Sequence, residues 1–302
     1  MPDDRAPRTL GALLAYVRKA LENAGKAEAA LDARILVEHF TGASRTDAVL
    51  DPGRAVGEEA ALAVTEALRR RLAGEPVYRI LGFREFHGLK LSLSSETLEP
   101  RPDTEALVDL VLPFVRDAAA RDGACRILDL GTGTGAIALA LLKEVEAAEA
   151  IGADISSQAL ATARANADIS GNGGRFRTVC SDWFSDIEGR FHLVVSNPPY
   201  IRSDDMLHLQ PEVRNFDPLR ALDGGADGLH AYRQIAARAN EFLMDGGLVA
   251  VEIGHDQREE VTVVFRAAGF MLADSTRDLA GNDRALAFRP LEAVQKTLGN
   301  RG

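Results

Sequence analysis

Cysteine is nearly absent from this chain of 302 residues: Cys125 and Cys180 are the only two. Two thiols build neither a disulfide framework nor a zinc cluster, and no metal set is expected. Each lies beside or within an apolar stretch, where a cysteine serves as small hydrophobic filler. Long apolar runs are absent too, and nothing approaches the roughly 20 uncharged residues of a membrane span. The segment from Met1 to Leu10 carries Asp3 and Asp4 and no apolar core, so it reads as neither signal nor transit peptide, and a cytoplasmic protein is expected. Positive charge is in deficit. Lys and Arg total 35 against 45 Asp and Glu, a net charge of −10. That balance argues against broad non-specific binding to nucleic acid, which depends on cations meeting phosphates. It suits a basic partner or a cationic cofactor.

What is present falls into two regions of different periodicity. Residues 9–74 carry helical spacing. Thr9 precedes Leu10, Leu13, Leu14, Val17 and Leu21, with Gly25 as a stop. A second helix is expected from about Ala27 to Phe40 before Gly42, and Ser44 caps a short third. A fourth spans Gly57 to Leu72, with Ala61, Leu62, Thr65, Leu68 and Leu72 inward and Gly74 behind. Residues 1–75 are thus expected to form a small helical domain. Residues 76–99 read as a linking β-hairpin, with Tyr78–Phe83 and Phe86–Leu93 as its strands. Pro100-Arg101-Pro102 breaks the chain, and Asp103 or Thr104 caps a helix through Val115.

From there to the end, 100–302, strand and helix alternate. Strands are expected at Cys125–Leu130, Ala150–Asp154, Phe176–Cys180, Phe191–Ser196 and Gly247–Ile253. Helices are expected at Gly135–Glu146, Ser157–Ser170, Leu229–Leu243 and Gln257–Ala268. Phe270–Asp278 and Arg284–Phe288 close as an antiparallel pair around Gly281-Asn282-Asp283. Short apolar strands in βα units imply a doubly wound, mostly parallel, seven-stranded α/β sheet of Rossmann-like type. The polar stretch Glu292–Gly302 reads as a frayed helix.

Two motifs sit at predicted strand ends, where open α/β sheets bind ligands. Gly131-Thr132-Gly133-Thr134-Gly135 follows the first sheet strand and opens a helix. Its G-x-G-x-G spacing differs from the G-x-G-x-x-G of dinucleotide binders. Asp129, just before it, suits the amino group of a methionyl moiety better than a pyrophosphate. Asp154, ending the next strand, is placed to accept from ribose hydroxyls. Trp183, in Ser181-Asp182-Trp183-Phe184, is placed to pack on adenine, with Asp182 accepting from its amine. The set favours S-adenosylmethionine over a nicotinamide cofactor.

The second motif is Asn197-Pro198-Pro199-Tyr200. Two prolines cannot extend a central strand, so the chain leaves the sheet here. The Asn197 side-chain oxygen and the Pro198 carbonyl then form a pair of acceptors suited to a planar –NH2 group, and Tyr200 offers an aromatic face. An amide nitrogen is a poor nucleophile. Holding both its N–H groups orients the lone pair for in-line attack on a sulfonium methyl and stabilises the charge that develops. Positioning and electrostatics fall to Asn197, Pro198 and Tyr200, with Pro199 beside them, and no general base is evident.

Taken together these residues resemble the peptide chain release factor glutamine N5-methyltransferases. The likeness extends through Pro76–Gly82 with Arg84-Glu85-Phe86, Pro100–Glu105, Asp129–Gly135, Pro211–Arg214 with Pro218-Leu219, Gly224–Leu229, Glu252-Ile253-Gly254 and Gly281–Arg284. It covers residues 10 to 288, and the pairing of P-R-P-x-T-E with N-P-P-Y is its specific part. Glu99, where an apolar residue is expected, is a small departure. The resemblance implies S-adenosylmethionine as methyl donor, yielding S-adenosylhomocysteine. It implies Gly131 to Gly135, Asp154, Trp183 and Asn197 against the cofactor, and Asn197 to Tyr200 against the substrate. That substrate is the glutamine of the Gly-Gly-Gln motif in class 1 release factors, with the N-terminal helices helping to dock the factor. N-P-P-Y alone is shared with adenine and guanine amino-methyltransferases, so a nucleic-acid methyltransferase is the alternative, disfavoured by the charge. A non-catalytic assembly protein is a third reading, against which the intact motifs stand.

Overall fold

Leu10, Leu13, Val17 and Leu21 bury one face of α1 (Leu10–Asn23), with Thr9 at the N-cap but making no side-chain cap bond. The computed structural model describes residues 7–291, so the expected helix over 292–302 lies outside the described residues. The chain divides into two units, Met1–Gly82 and Phe83–Gly302. In the first, α1 packs with α2 (Ala29–Thr41), α3 (Arg45–Leu50) and α4 (Glu58–Leu72) around Leu13, Val17, Ala33, Val37, Val64 and Leu68. Ser44 starts α3 through a reciprocal capping box. Its Oγ accepts from the Asp47 N–H at 3.1 Å, and Asp47 Oδ2 accepts from the Ser44 N–H at 2.8 Å.

Two expectations fail in this unit. Leu62 and Leu72 of α4 are 64% and 42% exposed. The inward stripe is Ala61, Val64, Leu68 and Arg71, and Arg71 takes its place there because Asp32 of α2 meets it. The Nε–Oδ2 distance is 2.7 Å, and both side chains are buried. Each helix therefore turns a leucine outward (Leu31, Leu72) and a charge inward, an exchange hidden from any reading that places charges in water. Removing one partner of such a pair leaves a buried charge, at a cost of about 3–5 kcal/mol. The second failure is at Tyr78–Leu81, which is helical. α5 (Val77–Leu81) buries Val77 and Ile80, at i,i+3 spacing, against Leu36 and Ala67. The first unit therefore reaches Gly82, not residue 75.

The hairpin belongs to the second unit and is shorter than expected: β1 (Phe83–Phe86) pairs antiparallel with β2 (Leu89–Ser92). His87 and Gly88 turn it with φ of 46° and 69°, the positive pair a two-residue hairpin turn requires. A 3₁₀ turn at Pro102–Thr104 leads into α6 (Glu105–Asp122), which neither Asp103 nor Thr104 caps through its side chain. α6 runs seven residues past the expected end at Val115, through the exposed Pro113, because Ala118 and Ala119 continue its buried face.

The sheet elements follow: β3 (Cys125–Leu130), α7 (Ala136–Glu144), β4 (Ala148–Asp154), α8 (Ser157–Ile169), β5 (Phe176–Cys180) and β6 (Phe191–Ser196). A segment of short helical turns, including α9 (Pro211–Phe216), precedes α10 (His230–Phe242). Then come β7 (Leu243–Glu252), α11 (Arg258–Ala267), β8 (Phe270–Arg277) and β9 (Asp283–Pro290). β7 starts four residues before the expected strand. The seven strands lie in the order β5-β4-β3-β6-β7-β9-β8. β3 to β7 are parallel, and β9 runs antiparallel to both β7 and β8. α6 and α7 cover one face and α10 and α11 the other, giving a doubly wound α/β fold. Strand order reverses between β3 and β6, the place where such sheets open a crevice at their carboxyl ends. No helix among the described residues is long and apolar enough to cross a membrane.

Candidate active site

Strand register assembles the site. Leu130 pairs with Ala153 on one side and Ser196 on the other, and Asp154 pairs with Cys180. The residues that follow these strand ends therefore converge on one edge: Gly131–Gly135, Asp154, Ser181–Trp183 and Asn197. A cleft of about 470 Å³ opens there. Its walls include Gly131, Thr132, Gly133, Thr134, Asp154, Trp183, Asn197 and Pro199.

The glycine loop is built by backbone geometry. Gly131, Gly133 and Gly135 have φ of 68°, 54° and 82°, a region costly for any residue with a Cβ. A Cβ at Gly135 would also stand 3.1 Å from Leu139 Cδ1. The loop is tied on both sides: Thr132 N–H donates to the Ala153 carbonyl at 2.9 Å, and Gly133 N–H to Asp154 Oδ2 at 3.0 Å. Asp129 differs from its expected role. It is 1% exposed and stands behind the loop rather than on the cleft wall. Its Oδ2 accepts from Thr132 Oγ1 at 2.7 Å and the Ala138 N–H at 3.4 Å, while Oδ1 has no hydrogen-bond partner. Burial pushes its pKa up to about 7. Asn166 of α8 adds a support that nothing in the sequence signalled. Its amide donates to the carbonyls of Ser92 and Thr134 and accepts from the Ser92 N–H, all between 2.8 and 3.1 Å.

Asp154 faces the cleft with one backbone N–H on each oxygen, Gly133 at 3.0 Å and Ser156 at 2.9 Å. Its pKa is raised, chiefly by burial. Trp183 adopts φ of 50°. Its carbonyl accepts from Ser181 Oγ at 2.9 Å, and its ring serves two surroundings, the cleft wall and the apolar core beneath.

On the β6 side, Asn197 Nδ2 donates to Thr104 Oγ1 at 3.2 Å. This contact fixes the amide with its oxygen left as the acceptor. Pro198 is buried and, with Tyr200, stands outside the cleft lining. Tyr200 packs on the core below, its hydroxyl 3.4 Å from Glu252 Oε1, and burial pushes the phenol well above its ordinary range. Ion pairs draw the segment after β6 to the opposite wall. Arg101 Nη2 lies 2.7 Å from Asp217 Oδ2, and Arg220 Nη2 lies 3.2 Å from Glu96 Oε2. Thr104, Glu96, Arg101 and Arg220 are cleft residues to which the motifs assigned no role, although Arg101 and Thr104 stand inside the P-R-P-D-T-E run.

Comparison with known proteins agrees in both units. Residues 12–82 match the family model described as the PrmC N-terminal domain, and residues 110–210 match that of the methyltransferase small domain. The release factor glutamine methyltransferase of Agrobacterium fabrum is 55% identical over 281 residues, 93% of this chain and 97% of that protein. The one from Bradyrhizobium diazoefficiens is 42% identical over 289 residues, 95% of each. Among solved structures, a methyltransferase from Pyrococcus furiosus superposes with a TM-score of 0.50 at 16% identity, covering 74% of this chain and 98% of that one, a likeness of fold. With identity of this level over nearly the full length, the chain belongs to the release factor glutamine methyltransferase family.

Proposed function

We propose that this enzyme transfers the methyl group of S-adenosylmethionine to the side-chain amide nitrogen of the glutamine in the Gly-Gly-Gln motif of class 1 release factors. The observation that carries the reading is the Asn197 amide, held by Thr104 with its oxygen left to accept, at the strand end next to the glycine loop. A substrate that works on ribosomes puts the reaction in the cytoplasm. The first unit carries exposed apolar side chains, Val49, Leu50 and Leu62, which support its assignment to docking the factor.

The cleft residues fit the methyl donor. Four carboxylates (Glu96, Glu99, Asp154 and Asp182) and two guanidiniums (Arg101 and Arg220) line the cleft; with Glu96 paired to Arg220 and Glu99 to Arg84, Asp154 and Asp182 are left to meet a ligand carrying sulfonium and ammonium charge. Both arginines are already engaged by carboxylates. Asp154 has acceptor capacity left for ribose hydroxyls, since each oxygen has two lone pairs and takes one N–H. Trp183 offers its ring to adenine, and Asp182 accepts from the exocyclic amine. Bound S-adenosylmethionine supplies an electrophilic methyl carbon.

The chain's part is to hold the acceptor nitrogen. Asn197 Oδ1 and the Pro198 carbonyl each accept one N–H of the glutamine amide, and Pro199 and Tyr200 confine the group's plane. Two fixed acceptors stabilise positive charge as it grows on nitrogen, and alignment of two reactants supplies the rest. No side chain is required as a base, since the methylated amide loses its proton readily once charged. The reading is tested by methyl transfer from radiolabelled S-adenosylmethionine to a purified release factor, its Gly-Gly-Gln→Gly-Gly-Ala variant, and bulk nucleic acid. Label confined to the unaltered factor is expected. Label in nucleic acid alone would move the assignment to a base amino-methyltransferase.

A further inference from the structure

Glu252 ends β7, beside the β6 end that carries Asn197: Val251 pairs with Ser196. It is 1% exposed, a costly setting for a carboxyl group unless something holds it there, and the chemistry above does not use it. Its Oε1 accepts from the Tyr200 hydroxyl at 3.4 Å, and its Oε2 is sealed from solvent with no hydrogen-bond partner. Its backbone carbonyl accepts from the hydroxyl of Tyr232, a fully buried residue of α10, at 3.0 Å. Gln257 holds the other end of Tyr200, donating from Nε2 to its carbonyl at 3.1 Å, and accepts at Oε1 from the Gly254 N–H at 3.0 Å. Tyr200 is thus gripped at its hydroxyl from the end of β7 and at its carbonyl from the residue that precedes α11. The groups around the carboxyl are of mixed kind: Arg284 from β9, Asp103 from the turn before α6, and Thr104, Tyr200 and Tyr232. Burial pushes it up to about 7, and the Thr104 hydroxyl is the chief influence in the other direction. Thr104 is also the residue that fixes the Asn197 amide.

We infer that Glu252 is a positioning residue for the methyl acceptor, a buried carboxyl that sets the Tyr200 ring where it confines the amide. The inference rests on the assignment of Asn197 and Tyr200 to the acceptor. It concerns the acceptor side alone, so it separates turnover from cofactor binding. A role in packing would move both.

The test uses the full chain, S-adenosylmethionine and a purified release factor. It compares Glu252→Leu, Glu252→Gln, Tyr200→Phe and the Glu252→Leu/Tyr200→Phe double variant by steady-state kinetics, with cofactor affinity by calorimetry. Glu252→Leu is expected to lower kcat about a hundredfold, the scale of a reactant misplaced by an ångström, with cofactor affinity unchanged. Glu252→Gln, which keeps an acceptor for Tyr200, recovers kcat to within about threefold of wild type, and the double variant is no worse than the worse single one, the signature of groups acting in series. The inference is overturned if Glu252→Leu keeps its kcat, if its cofactor affinity falls in step, if Gln does no better than Leu, or if the two losses multiply. Should Glu252→Leu fail to fold, Tyr200→Phe decides. A kcat about tenfold down, with normal cofactor affinity, supports the link through the hydroxyl, and a wild-type kcat removes it. Wild-type label in nucleic acid instead of the factor would overturn the substrate, and the same variants would then be read on that acceptor.

Discussion

The two sides of the strand reversal solve the same problem by different means. On the β3–β4–β5 side the cleft is shaped by backbone: three glycines at positive φ, loop N–H groups tied to Ala153 and Asp154, and a tryptophan at φ of 50°. On the β6–β7 side it is shaped by buried side chains. Thr104 holds Asn197, and Glu252 and Gln257 hold Tyr200. In the proposed reaction the backbone-built wall meets the cofactor, a ligand that is the same at every turnover. The wall of side chains meets the substrate amide, and fixes the few acceptors the proposed chemistry needs. The first is expected to govern cofactor affinity and the second turnover.

The sharpest break in that comparison comes at Asn197. Asn197→Ala is expected to cut kcat by about a hundredfold or more, roughly 3 kcal/mol, while calorimetry finds cofactor affinity little changed and circular dichroism an intact fold. Normal turnover would take the acceptor away from this wall. Next in size is Asp154→Ala on the opposite side. It should raise the cofactor dissociation constant about ten- to a hundredfold, the loss of a hydrogen-bonded charged group, partly through the Gly133 N–H it anchors. An unchanged constant would remove the ribose contact.

The smallest effect sharpens a likeness between the sides. Each buries one carboxyl raised to about 7, Asp129 behind the glycine loop and Glu252 behind Tyr200. A carboxyl whose folded pKa lies above its unfolded value contributes stability that is full at low pH and is lost as pH rises through about 7. The thermal midpoint should therefore fall between about pH 5 and about pH 8. Glu252→Gln, which cannot ionise, should shrink that fall, with the gap to wild type widening as pH rises. A gap independent of pH would contradict the burial of an ionisable group there.

This division also explains what was legible in the sequence. Glycines, prolines and strand ends declare backbone. Phe176–Cys180 and Phe191–Ser196 fall where their apolar runs place them, and Gly131–Thr134, Asp154, Trp183 and Asn197 do meet at one cleft, while Gly135 caps the helix behind it and stands outside the lining. Side-chain partnerships across long sequence intervals declare nothing locally. Thr104 lies 93 residues from Asn197, and Glu252 lies 52 from Tyr200. The Asp32–Arg71 pair, 39 residues apart, misled the phase of α4 for the same reason. Tyr78–Leu81 failed differently. In one helical turn, i,i+3 spacing and strand alternation are too few residues apart to distinguish.

Asn166 joins pieces that the chain keeps far apart. Its single amide group spans 74 residues back to Ser92 and 32 back to Thr134, so the hairpin, α8 and the cofactor loop share one fastening. Opening any of them exposes the polar groups of the others, and native-state hydrogen exchange is expected to find the three segments protected to a similar degree, so that the cleft opens as a unit and not loop by loop.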